Sequence, residues 1–215
     1  LEKVLYIVPI LLFSVVVHEY AHGYVAYKWG DPTAAVMGRL TLNPVPHIDP
    51  IGSLLVPVLM AATGGLLFGW ARPVPVNPDN YRNRKWGDVT VSLAGPASNL
   101  ILALLFTGLW IVTLKLLGPE LATGPLNQVF ATGITLNLIL ATFNLLPIPP
   151  LDGSHVLANF LPRKLAYNYM SLARFGFLIL IVLLVFPPFR ALLSLIYVPV
   201  QIVAGFLFGL VSRVA

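Results

Sequence analysis

Five stretches of this chain contain no Asp, Glu, Lys or Arg: 50–71, 89–114, 121–151, 175–189 and 191–212. A helix that crosses the hydrocarbon core of a bilayer needs about 20 mainly apolar residues, and several of these windows reach that length. A soluble core of equal apolarity still needs charged faces between its buried stripes, and these windows have none. The whole chain is 58% hydrophobic and 10% charged, against about 25% charged for a soluble domain. It therefore reads as an all-α membrane protein, a polytopic helix bundle forming one integral membrane domain over 1–215.

The formal net charge of +5 does not indicate a nucleic-acid partner. The basic residues sit in short connections between apolar runs, not along one helix face, as membrane topology requires. Cysteine is absent, which excludes thiolate metal ligands and a disulfide-linked partner.

Along the chain, a first helix is expected over about Leu5–Lys28, closed by Gly30-Asp31-Pro32. Further spans are expected over Val89–Leu117, Leu126–Leu146, Met170–Val185 and Ala191–Val211, the last two separated by Pro187-Pro188 and Arg190. That makes about five full transmembrane helices. Residues 36–50 alternate briefly and then turn, and 72–84 repeat that style, so the two are expected to pair as a small β-hairpin. Between them Ile51–Trp70 is apolar and rich in glycine. It is expected to re-enter the membrane on one side; if it spans, the helices number six.

The first helix carries His18-Glu19-Tyr20-Ala21-His22. Residues four apart share one helix face, so both imidazoles can reach one Zn²⁺ at about 2.0–2.1 Å. Glu19, beside the first ligand, can take a proton from a water at the metal and return it to the leaving amine. Ionisable groups at the depth of an apolar helix are costly and usually functional. A catalytic zinc normally has three protein ligands and one open position. The candidates for the third are His47, Asp49, Asp152 and His155. Asp152 is the best of them, because it follows 31 uncharged residues and its carboxylate needs a partner there.

Five motifs together carry a resemblance: VHEYAHGYVAYKWGD at 17–31, GRLTLNP at 38–44, HIDPIG at 47–52, AGPASN at 94–99 and NLLPIPPLDG at 144–153. The chain resembles the site-2 protease family of intramembrane zinc metalloproteases, in its short prokaryotic form. The resemblance implies one Zn²⁺ per chain, held by His18, His22 and Asp152, with Glu19 as catalytic glutamate. It implies that Asn144 contacts substrate or the developing oxyanion, and that Gly95, Pro96 and Asn99 form a motif in a neighbouring core helix. It implies transmembrane protein substrates in the lipid bilayer and a multi-pass protein of the prokaryotic cell membrane. A buried Asn144 can donate to an oxygen gaining charge, or equally bond another helix. Pro147, Pro149 and Pro150 prevent regular helix before Asp152, as suits a segment lining an aqueous cavity.

Two rival classes remain at this point, a membrane transporter and a non-catalytic metal-binding membrane protein. Broken helices and buried asparagines suit a transporter, but hydrolase spacing of two histidines and a glutamate does not. If 51–70 re-enters, the helices leading to His22 and to Asp152 end on the same face. Lys28, Arg39, Arg72, Arg82, Arg84, Lys85, Arg163, Lys164 and Arg213 then share one side, with Lys3, Lys115 and Arg190 at the other. The excess of positive charge puts the active site nearer the cytoplasmic face.

Overall fold

The computed structural model describes residues 2–49, 52, 71–118, 124–176, 178–179, 182 and 187–213. The first helix, α1, runs from Glu2 to Trp29. It ends where the sequence requires. Gly30 adopts φ 106°, its N–H bonds the Tyr27 carbonyl, and the Asp31 N–H bonds the Ala26 carbonyl, each at 3.0 Å. These two bonds form a glycine-terminated C-cap. A single turn, α2, follows at Thr33–Val36.

Helix α3 covers Arg84–Leu117. It starts earlier than the apolar window because the Asn83 side chain accepts the Trp86 N–H at 3.1 Å and caps it. At 34 residues it is about 50 Å long, more than the roughly 30 Å of hydrocarbon, so its polar first turns extend beyond the apolar depth. Helix α4 spans Pro125–Asn144, with its proline at the first turn, where no N–H is missed. An irregular stretch with three prolines leads to α5, Asp152–Ala158. Then come α6, Arg163–Met170, a short 3-10 turn over Ser171–Phe175, and α7, Pro187–Ser212.

Helix α3 is the spine, packed along both α1 and α4. Farther along it, Ala103 meets Ile134 and Leu138 of α4 and Val200, Ala204 and Leu207 of α7 in the main apolar cluster. The opposite face of α3 exposes Leu100, Ile101, Leu104, Leu105, Leu109, Val112 and Leu116. Ser14, Asn99 and Asn137 are instead fully buried between the helices. Apolar side chains outward and hydrogen-bonded polar ones inward is the arrangement a bilayer favours. This is a membrane-embedded bundle.

Two expectations about architecture need correction. No β-strand occurs among the described residues. The segments 36–50 and 72–84 do meet, but not as a ladder. Pro44, Pro46, Pro73 and Pro75 lack the N–H groups a ladder needs. One backbone bond remains, Arg72 N–H to the His47 carbonyl at 2.9 Å. The Arg39 guanidinium supplies the others, donating to the carbonyls of Arg72 and Pro73 at 2.7 and 3.2 Å. The second correction concerns the count of five spans. Among the described residues three helices are long and apolar enough to cross a membrane, Tyr6–Trp29, Arg84–Leu117 and Pro125–Asn144, with a shorter apolar helix at Val198–Ser212. The Pro187-Pro188 pair opens α7, where proline fits the first turn. The re-entry expected for 51–70 falls outside the described residues except at Gly52, and the expected span Met170–Val185 runs partly outside them.

Candidate metal and active site

Helix α1 places His18 and His22 one turn apart, and their Nε2 atoms lie 3.0 Å from each other. The first turn of α5 brings Asp152 to both. Its Oδ2 is 3.3 Å from His18 Nε2 and 3.4 Å from His22 Nε2. The three ligand atoms form the one group among the described residues able to hold a metal ion. The remaining candidates lie elsewhere. His47 is buried, with Nε2 3.0 Å from the Thr41 carbonyl. Asp49 accepts the Gly52 N–H at 2.7 Å. His155 Nδ1 lies 3.9 Å from an Asp88 carboxylate oxygen.

The hydrogen bonds around the imidazoles fix which nitrogens face the centre. Asn137 Nδ2 donates to the Gly133 carbonyl at 2.8 Å and to Ser14 Oγ at 2.9 Å. Its Oδ1 is therefore the acceptor for Asn99 Nδ2 at 2.9 Å. That leaves Asn99 Oδ1 to accept from His18 Nδ1 at 2.7 Å. The Val91 carbonyl, which can only accept, takes the Nδ1 proton of His22 at 2.7 Å. Both Nε2 atoms consequently present lone pairs to the same point.

Two lone pairs 3.0 Å apart repel unless a cation lies between them. Asp152 Oδ2 is buried without a hydrogen-bond donor and faces the same point. Two imidazole nitrogens and one carboxylate oxygen form a donor set of the kind that binds a single catalytic zinc. The residues fit the metal.

Gly95 makes the approach possible. Helix α3 passes so close to the ligands that a Cβ at this position would lie 2.5 Å from both Cε1 and Nε2 of His18 and would also strike Nε2 of His22. Gly153 does the equivalent for α5, which packs against the end of α4; a Cβ there would overlap the Leu145 backbone.

Glu19 points away from its own helix. Its Oε2 accepts the Val74 N–H at 2.7 Å. Asn144, the last residue of α4, donates one amide hydrogen to the Leu140 carbonyl at 3.0 Å. It stands at the start of the 145–151 connection that delivers Asp152. Sequence reasoning tied neither the Val91 carbonyl nor Asn137 to the metal centre. Their partners are remote in the chain, and only the uncommon presence of a fully buried Asn137 in an apolar helix gave a signal.

Residues 6–184 match the sequence model of Peptidase family M50. The chain is 45% identical over 187 residues to "Putative zinc metalloprotease YwhC" of Bacillus subtilis (strain 168), covering 85% of this chain and 81% of that protein. It is 36% identical over 181 residues to "Putative zinc metalloprotease Rip2" of Mycolicibacterium smegmatis, covering 82% of this chain and 65% of that protein. The protein of that name from Mycobacterium tuberculosis (strain ATCC 25618 / H37Rv) is 33% identical over 180 residues, covering 82% of this chain and 65% of its own length. No solved structure matches.

Proposed function

Since this chain belongs to peptidase family M50, the site-2 proteases, we propose that it hydrolyses peptide bonds within or near the transmembrane segments of other membrane proteins. The observation that carries this reading is the meeting of His18, His22 and Asp152 at one point between helices long and apolar enough to cross a bilayer. Zinc held there supplies a Lewis acid that polarises a carbonyl and makes water acidic. The protein's own groups do the rest. Glu19 accepts a proton from the attacking water as the new C–O bond forms, and delivers it to the amide nitrogen as the C–N bond breaks. Asn144 has a second amide hydrogen besides the one given to the Leu140 carbonyl, and donates it to the carbonyl oxygen as charge builds there.

A peptide bond inside a helix has its carbonyl already hydrogen-bonded and covered. The substrate helix must therefore unwind at the cut, and Gly, Pro or Asn nearby should speed cleavage. The excess of Lys and Arg in the connections at the His22 end favours a cytoplasmic active-site face. Transport is a weaker reading. Of the two asparagines that suit it, Asn137 is engaged in the hydrogen bonds that orient His18, and Asn144 donates to the Leu140 carbonyl of its own helix.

The test is purified full-length protein in detergent, assayed on transmembrane peptides that differ only in helix-weakening residues. Glu19→Gln keeps the shape of the side chain but removes the base. It should retain zinc and lose hydrolysis by about 10²-fold or more. Wild-type rates in that variant would overturn the reading.

A further inference from the structure

Two buried charged residues have no part in the chemistry described above. Asp31 is fully buried and Arg39 is 7% exposed, and neither has an ion-pair partner among the described residues. An unpaired buried charge is costly unless hydrogen bonds satisfy it. Both charges direct hydrogen bonds to one segment. Arg39 donates to the carbonyls of Arg72 and Pro73 at 2.7 and 3.2 Å. Asp31 accepts the Asn77 N–H at 2.6 Å and the Asn80 side-chain amide at 2.8 Å. The carbonyl of His47 takes the Arg72 N–H. Residues 72–77 are thus a strap fastened at both ends and laid across α1.

Midway along the strap sits Val74, between two prolines. Its N–H is the sole backbone donor from Pro73 to Pro75, and that donor meets Glu19 Oε2 at 2.7 Å. The Val74 side chain is buried over Gly23, one turn beyond Glu19 on the same helix face; a Cβ at Gly23 would lie 3.0 Å from Val74 Cγ1.

We infer that Arg39 and Asp31 are positioning residues for Glu19, acting through a strap whose Val74 N–H holds one carboxylate oxygen and leaves the other to face the substrate. This rests on the reading of Glu19 as the base. It also gives a role to motif residues that the metal site leaves unused: Asp31 closes the first motif, Arg39 lies in the second, and His47 opens the third. A carboxylate on a free side chain samples several rotamers, and a base displaced by about 1 Å can lose on the order of 10²-fold in rate.

The test compares two substitutions at one position in the full-length protein. Val74→Pro deletes the N–H, whereas Val74→Ala keeps it and trims the side chain. Zinc per chain, kcat and KM are measured on a transmembrane peptide with helix-weakening residues. Val74→Pro should keep its zinc and its KM while kcat falls roughly 10–100-fold, and Val74→Ala should stay near wild type. A zinc-replete Val74→Pro with wild-type kcat, or an equal loss of kcat in both variants, overturns the inference. Should Val74→Pro fail to fold, Arg39→Met against Arg39→Lys decides. The inference requires a fall in kcat with zinc retained in the first and partial rescue in the second; wild-type kcat in zinc-replete Arg39→Met overturns it. Glu19→Gln is run alongside. If it is fully active, the reading of Glu19 itself fails. If it is inactive while the strap variants are unaffected, only the positioning role fails.

Discussion

His18 Nδ1 donates to Asn99 Oδ1 at 2.7 Å, across 81 positions of sequence and between two membrane helices. The bond leaves His18 Nε2 unprotonated and turned toward His22 and Asp152. Asn99 is held in turn by Asn137, and Asn137 by Ser14 on the helix that carries His18. The loop of bonds closes through three helices, so the imidazole is oriented by the bundle itself. Partners of this kind set the orientation of a metal-binding histidine.

Replacing Asn99 by Ala should therefore act on the metal although Asn99 does not touch it. We expect zinc affinity to fall about 10–100-fold, read by competition with a chromogenic chelator. Removal of a hydrogen-bonded group at a fully buried site should also destabilise the fold by roughly 1–3 kcal/mol. Unchanged affinity in the variant would show that His18 needs no such support.

Gly95→Ala is expected to be more severe for the metal than its single methyl suggests. The added Cβ lands on the ligand nitrogens of both histidines, not on a flexible side-chain tip. Helix α3 would have to move away from α1, breaking the Val91–His22 and Asn99–His18 bonds together. Zinc per chain after extensive dialysis should fall well below wild type. A fully loaded Gly95→Ala protein would mean that the two helices adjust freely.

Much of this site was legible before the fold was known. Two histidines four apart declare a shared helix face, and an aspartate after a long uncharged run declares a need for a partner. Gly30 likewise marked the end of α1 within a residue or so. What could not be read locally lies in contacts between distant segments. The Val91 carbonyl is a backbone atom and has no side-chain signature. Asn99 carried meaning only through the family motif. The segments around 44 and 73 alternate in the manner of paired strands, but their prolines remove donors that a ladder needs. The structure replaces that ladder with the Arg39 side chain. The count of five spans exceeds the three long apolar helices among the described residues, Tyr6–Trp29, Arg84–Leu117 and Pro125–Asn144, which lie where the first three spans are expected.

Acid stability offers a test of the Asp31 anchor. Burial pushes the Asp31 carboxyl up, but donors from Thr33, Asn77 and Asn80 outweigh it and hold the group below its usual value. A carboxylate whose pKa is depressed by folding contributes stability that is present above the ordinary aspartate value of about 3.9 and lost as pH falls through the folded value. Thermal unfolding in detergent should show Asp31→Asn less stable than wild type at neutral pH. The difference should shrink as pH drops below about 4. A gap that stays constant through acid pH would remove Asp31 from this role.

His18, His22 and Asp152 form a centre for one zinc ion. The most direct measurement is zinc per chain in purified protein, with X-ray absorption at the zinc edge to identify its ligands, on wild type and His22→Ala. We expect one zinc per wild-type chain, bound by two imidazole nitrogens together with oxygen, and loss of that zinc in His22→Ala. Unchanged zinc content in His22→Ala, or a wild-type zinc without imidazole ligands, would contradict it.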